Sequence, residues 1–195
     1  QRQANGPTVQ EVLEAALGQV TGEPVTILAA GRTDTGVHAE GQVIAFDTGW
    51  RHPLDALLRA LNAALPPDVA VRQVAQARPE FHPRYDARSR RYRYTVWNGP
   101  VRSPLVRRTS LHVPRPLDVA AMQAAARLVV GEHDFAAFGQ PPQGEVTVRQ
   151  VLRAEWSGEP PRLCFDVEAN AFLYRMVRSL VGTMLQVGLG LMTVE

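Results

Sequence analysis

Hydrophobic positions along this chain switch between a period near 3.6 and a period of two, so both helices and strands are predicted. Thr8 and Glu11 have the spacing of a capping box. Val9, Val12, Leu13, Ala16 and Leu17 then recur on one helical face to about Val20. Residues 25–30 and 41–48 read as strands. Pro53 opens a second helix with Leu54, Leu57, Leu58 and Leu61 on one side, stopped by Pro66 and Pro67. Residues 69–74 read as a strand, 79–86 as irregular, and 90–97 as an alternating strand ended by the turn Asn98-Gly99-Pro100. A helix is predicted over 119–130, ended by Gly131, then a Pro/Gly loop over 139–145. Two strands follow, 146–156 and 162–170, joined through Ser157-Gly158-Glu159-Pro160-Pro161. A long apolar helix covers 172–187.

This order predicts an α+β fold, with helices packed on one face of mostly antiparallel sheet. The elements divide into two similar halves, residues 1–99 and 100–195, without an exact repeat. Both ends look abrupt: the chain opens on Gln1-Arg2-Gln3 and stops just after an apolar helix, as a fragment trimmed at both ends would.

Composition narrows the class. The 195 residues are 45% hydrophobic and 21% charged, the balance of a globular protein with a sizeable core. No segment resembles a signal peptide or a run of ~20 apolar residues, which points to a soluble, cytoplasmic protein. The single cysteine, Cys164, excludes an internal disulfide and a cysteine-based zinc cluster, and its apolar flanks place it in a core strand. The five histidines lack ligand spacing. A net charge of +2 is not that of a polyelectrolyte, yet all 21 basic residues are arginine. Base composition of the genome accounts for the missing lysine but not for where the arginines sit.

Three segments carry candidate chemistry. The first is Gly31-Arg32-Thr33-Asp34-Thr35-Gly36-Val37-His38-Ala39, a lone acid in a loop between two strands. Gly31 and Gly36 bracket it and allow backbone angles that a Cβ forbids. Arg32 favours the ionised carboxylate. The same pattern also describes an ordinary turn in which the aspartate caps backbone N–H groups. The second segment places five arginines and three tyrosines within residues 84–94, against one acid. Guanidinium groups grip phosphates and phenol rings stack on bases. On a strand, Arg91 and Arg93 face one way and Tyr92 and Tyr94 the other; charge that blunts an edge strand is the alternative. The third is Arg178 within the apolar helix. A buried cation there needs an anionic partner, with Asp34 the natural candidate and Gly182 leaving room beside it; snorkelling to solvent is the alternative.

With these residues in view, the chain resembles the tRNA pseudouridine synthase A (TruA) family. The matching blocks are residues 31–39 with Gly41-Gln42-Val43, Phe81-His82, Arg90-Arg91-Tyr92-Arg93-Tyr94, Gly131 with His133-Asp134-Phe135, and Asn170-Ala171-Phe172 with Met176-Val177-Arg178. They occur in the family's order across nearly the whole chain; Thr35 stands where many members carry alanine. The resemblance implies a pseudouridine synthase fold of two ferredoxin-like halves with a cleft between them, assembled as a homodimer on tRNA. It also implies isomerisation of uridine to pseudouridine at positions 38 to 40 of the anticodon stem-loop, without cofactor or metal. By resemblance Asp34 is the nucleophile, Tyr92 stacks on the target uracil, and Arg178 pairs with the nucleophile. Arg32 helps extrude the base, and Phe81, His82, Arg84 and Tyr85 belong to an RNA-contacting segment. The loop around 139–148 corresponds to a further RNA-contacting segment, from which no single residue carries over. The family continues beyond both ends, with a strand before Gln1 and a helix and strand after Glu195.

Two other classes compete. Asp-Thr-Gly occurs at Asp34 and again at Asp47, as in aspartic proteases, which need two carboxylates sharing a proton. Here the triplets are 13 residues apart, too close for two lobes, and Arg32 opposes the raised pKa that sharing requires. An RNA-binding module without catalysis would display the same surface.

Overall fold

The computed structural model describes residues 2–3, 6–141 and 144–194. The chain forms two compact units, residues 1–87 and 88–195. The Arg/Tyr strand therefore lies in the second unit, whereas the sequence pattern grouped it with the first half.

The first unit is built on two helices, α1 (Val9–Thr21) and α2 (Leu54–Ala64), and a short antiparallel pair, β1 (Leu28–Ala29) and β2 (Ile44–Ala45). The capping box at the start of α1 is present as predicted: Thr8 Oγ1 accepts from the Glu11 N–H at 3.3 Å, and the Glu11 carboxylate accepts from the Thr8 N–H at 2.9 Å. Gly22, at φ 77°, ends the helix in the left-handed region that a side chain disfavours. Ala16 and Leu17 of α1 pack with Leu57 and Leu61 of α2 and with Val25, Ile27 and Leu65 to form the core of the unit.

The predicted strands of this unit are much shorter than their apolar runs, and 69–74 forms none. Helix side chains take bonds that a neighbouring strand would otherwise supply. The buried Glu14 carboxylate accepts from the Ile27 N–H at 3.1 Å. Asn62 of α2 donates to the Val71 carbonyl and accepts from the Val71 N–H, both at 2.8 Å. Once the backbone groups are satisfied in this way, an extended segment packs on the core without a ladder.

The second unit is a five-stranded sheet in the order β4-β3-β7-β6-β5. Its strands are β3 (Arg90–Trp97), β4 (Leu111–His112), β5 (Gly131–Asp134), β6 (Val148–Glu159) and β7 (Arg162–Ala169), with helices α3 (Val119–Leu128) and α4 (Met176–Gly188). All neighbours are antiparallel except β3 and β4. The hairpin of β6 and β7 is tighter than predicted: pairing continues to Glu159 and Arg162, so Pro160-Pro161 alone make the turn. A bulge between Val151 and Arg153 inserts one residue, so that Val151 and Ala154 both face inward. Leu163, Phe165, Val167 and Ala169 of β7 join Met122, Met176, Leu180 and Met184 in one core. Cys164, on the opposite face of β7, is only partly buried, not the core residue predicted.

That outer face is a lattice of charge. Register sets Arg91 beside Glu168 and Arg153, and Arg93 beside Asp166 and Glu155. Asp166, with its side chain 3% exposed, accepts from Arg91 at 3.1 Å and from Arg93 through both oxygens at 3.0 Å. A face this polar keeps its water, so the helices gather on the other.

Helix α4 corrects two expectations. It begins at Met176 rather than near Phe172, because Tyr174 pairs with Gln140 in an antiparallel bridge and Arg175 takes the left-handed conformation (φ 65°). The helix is also amphipathic rather than buried all round: Arg178, Gly182 and Gln186 form an exposed stripe. The close approach lies not at Gly182, where a Cβ would meet nothing within 4 Å, but at Gly188, where it would meet Met122 Sδ at 2.5 Å. Gly188→Ala is expected to destabilise the protein by about 2 kcal/mol through overpacking, whereas Gly182→Ala should be neutral or slightly stabilising. Equal denaturant midpoints for the two variants would contradict this reading of the α3–α4 contact.

Candidate active site

The Asp34 loop is an excursion between β1 and β2, pinned at its base. The ladder pairs Leu28 with Ala45 and Ala29 with Ile44, and the Ala30 N–H continues it to the Val43 carbonyl at 2.9 Å. The Gln42 side chain then donates to the Gly31 carbonyl at 2.9 Å. Farther out, the Val37 N–H donates to the Asp34 carbonyl at 3.1 Å, closing a turn with Gly36 at its third position. Gly36 sits at φ 81°, so this glycine is required by the backbone. Gly31 has no such angle; its contribution is the carbonyl that Gln42 reaches, which corrects the expectation that both glycines bend the chain. Arg72 braces the loop from outside, donating to the Glu40 carbonyl at 3.0 Å. Arg32 and Asp34 are both exposed on this frame. Gln42 and Arg72 are supporting residues that motif reading did not single out for a role; a polar side chain next to the second strand was the available signal for Gln42.

The second Asp-Thr-Gly triplet has a different purpose. Glu23 accepts from Thr48 Oγ1 at 2.8 Å and from the Gly49 N–H at 2.6 Å, and these bonds hold its carboxyl below the usual range. Thr48 and Gly49 of this triplet thus anchor Glu23, a bond pattern that the first triplet does not share.

Residues 78–86 form a self-contained turn. Asp86 accepts from the His82 N–H at 2.9 Å and pairs with Arg78 at 2.9 Å. His82 Nδ1 accepts from the N–H groups of Arg84 and Tyr85 at 3.2 and 3.3 Å. An accepting Nδ1 places the proton of neutral His82 on Nε2. His82 also packs on the Tyr85 ring at 4.3 Å, and Arg84 lies 5.8 Å from the same ring. Phe81, His82 and Arg84 are half-buried, while Tyr85 is 73% exposed. The turn thus displays one aromatic face beside one cation, a pairing suited to an unstacked base.

On β3 the predicted alternation is present. Arg91 and Arg93 lie on the charged outer face; Tyr92 and Tyr94 pack against the core. The arginines are not an open phosphate surface, because Asp166 engages both. Tyr92 meets Phe172 edge-on at 4.9 Å, which orients its ring. Asn170 shapes the segment between β7 and α4: its Oδ1 accepts from the Gln150 and Ala171 N–H groups at 3.1 and 2.7 Å, and its carbonyl accepts from Arg90 at 2.9 Å. The block at 131–135 has a similar structural purpose. Asp134 accepts from the Ala136 N–H at 3.0 Å and is held below the usual range by Thr147 and that bond, while Phe135 is buried.

The predicted residues fall into groups. Asp34 and Arg32 share one loop, and Phe81, His82, Arg84 and Tyr85 one turn, in the first unit. Tyr92 and Arg178 belong to the second. Arg178 is exposed, so burial does not demand a partner for it; its pairing with Asp34 rests on the resemblance. Of the loop around 139–148, Pro142 and Gln143 lie outside the described residues. Among the described residues no cluster of three or more His, Cys, Asp or Glu could hold a metal ion, and no helix is long and apolar enough to cross a membrane.

Comparison with known proteins agrees with the family resemblance. A family model described as tRNA pseudouridine synthase matches residues 1–86 and 125–195. The tRNA pseudouridine synthase A of Geobacter sulfurreducens is 48% identical over 196 residues, covering 100% of this chain and 80% of the relative. That of a Roseiflexus species is 50% identical over 195 residues (97% and 72%), and that of Neisseria meningitidis serogroup C is 44% identical over 197 residues (100% and 74%). The first matched stretch contains the pinned aspartate loop and the second contains Arg178, and on this footing the chain belongs to the tRNA pseudouridine synthase family of isomerases.

Proposed function

We propose that the protein isomerises uridine to pseudouridine at positions 38 to 40 of the tRNA anticodon stem-loop, with Asp34 as the nucleophile. The observation that carries this reading is the exposed Asp34 carboxylate on a loop pinned by Gln42 and Arg72, in a chain of this family. A stacked uracil is out of reach, so the base must leave the stem before reaction. Arg32 is the extruding side chain, and Phe81, His82, Arg84 and Tyr85 form an RNA-contacting turn. Asp34 acts on the flipped nucleotide: the N1–C1′ bond breaks, the uracil turns, and C1′ joins C5. The C5 proton then leaves and N1 gains one, so atoms balance without redox chemistry or hydrolysis. Tyr92 supplies the stacking face and assists removal of the C5 proton, while Arg178 holds the Asp34 carboxylate ionised and oriented. The enzyme works as a cytoplasmic homodimer gripping tRNA.

Mapping pseudouridine in tRNA exposed to the full-length protein tests this reading. Pseudouridine at 38, 39 or 40 supports it; tRNA bound but unmodified favours a binding module. Tyr92→Phe isolates the hydroxyl. Stacking persists, so tRNA affinity should hold while turnover falls about 100-fold, the scale of general acid–base assistance. Unchanged turnover would remove the proton-transfer role.

A further inference from the structure

The second unit carries a pocket that the reaction above leaves unused. It has a volume of about 350 Å³ and lies between residues 136–140 on one side and Tyr174, Arg175 and Ser179 on the other. This is the lower end of the size range of small-molecule sites, the class of a single nucleotide. Neither Tyr92 nor Arg178 lines it.

The pocket is built by long-range contacts. Tyr174 donates its N–H to the Gln140 carbonyl at 2.8 Å, and the two residues form an antiparallel bridge. Gly139 packs so closely that a Cβ there would strike the Tyr174 carbonyl. Between them and α4, Arg175 is held at φ 65°, ψ 1°, a backbone state that a side chain disfavours. That conformation fixes the direction in which the Arg175 side chain leaves the backbone at the pocket wall.

The lining selects a ligand. Arg175 has no carboxylate partner among the described residues; its guanidinium lies 5.1 Å from the centre of the Tyr174 ring. The Tyr174 side chain is half exposed. Arg175 is also the N-cap residue of the 13-residue α4, and no side chain caps that end, a helix terminus that favours an anion. Gln140 and Ser179 add an amide and a hydroxyl. A cation, an aromatic face and neutral hydrogen-bonding groups together match a nucleotide's phosphate, base and edge.

We propose that the pocket formed by residues 136–140, Tyr174, Arg175 and Ser179 binds one unpaired nucleotide of the RNA other than the uridine being isomerised, its phosphate on Arg175 and its base on Tyr174. The inference rests on the functional reading above.

Arg175→Gly and Tyr174→Ala in the full-length protein test it. Glycine relaxes the left-handed backbone, so Arg175→Gly should melt at the same or a higher temperature. Both variants should raise KM for tRNA about tenfold, the loss of one stacking or phosphate contact, with kcat within twofold. Uridine 5′-monophosphate should shift the amide resonances of residues 137–140 and 174–179 in the unsubstituted protein and not in Arg175→Gly. Unchanged KM in both variants, with the unsubstituted protein making pseudouridine, overturns the pocket and leaves the reaction standing. No pseudouridine from the unsubstituted protein overturns the reaction itself and with it the pocket's RNA substrate.

Discussion

Replacing Asp34 by alanine should lower pseudouridine formation by about 10⁴-fold or more, the order lost when an enzyme's nucleophile is removed, while tRNA affinity stays within about threefold. The separation follows from how the loop is held. The turn at 34–37 closes through the main-chain carbonyl of Asp34, which alanine keeps. Gly36 retains its positive φ, and Gln42 and Arg72 still pin the base and flank. The substituted side chain is exposed, so stability should change by no more than about 0.5 kcal/mol. Phosphate contacts dominate RNA affinity, and a carboxylate, being an anion, makes none of them. Single-turnover assays with tRNA, beside filter binding and thermal melting, read the three quantities separately. Residual formation above a tenth of the unsubstituted rate would dismiss Asp34 as nucleophile; loss of binding in equal measure would make it an RNA contact instead.

The largest stability effect is expected at Asp166. Asp166→Ala should cost about 3 kcal/mol, the low end for breaking a buried ion pair, because the two guanidiniums left behind are 49% and 54% exposed and rehydrate. In a unit of this size that lowers the melting midpoint by on the order of 10 °C. The group also dictates a pH dependence. Burial alone would raise the Asp166 carboxyl, but hydrogen bonds and charge from Arg93 and Arg91 outweigh it and hold the carboxyl below its ordinary 3.8. A folded-state value below the unfolded one contributes stability that is fully present above the unfolded value. That contribution is lost as pH falls through the folded value, so the decline belongs below about pH 4. Denaturant melts of the unsubstituted protein and Asp166→Asn between pH 2.5 and 7 should converge at the acid end. Curves that stay parallel would show that the carboxylate's charge contributes nothing.

Asp166 shows where sequence reading stops. Its neighbours Phe165 and Val167 mark a strand, yet nothing local says that an acid there faces two arginines more than 70 positions earlier. The arginines themselves were legible as one face of an alternating strand, and read as a phosphate surface. Pairing across β3 and β7 assigns them first to a carboxylate. The start of α4 failed for the same reason. Apolar spacing runs on from Phe172, but the bridge from Gln140 to Tyr174 holds the backbone extended until Arg175 turns it. Strand β4, two residues parallel to the end of β3, and β5, with the polar sequence Gly131–Asp134, have no pattern of their own and exist through their neighbours.

What the sequence determined alone is what depends on near neighbours: the capping box at Thr8, the two-sided strand at 90–97, the hairpin of β6 and β7, and the glycine-bearing turn that carries Asp34. Each is decided by steric or hydrogen-bonding preferences spanning a few residues, or by a period that burial imposes on one face. Tertiary structure alone decided which extended segments became strands, where α4 begins, that Arg178 is exposed, and that a pocket opens beside Tyr174. Those outcomes turn on which distant group satisfies a backbone N–H or carbonyl, as Glu14, Asn62 and Gln140 do here, and chain position does not encode that choice locally.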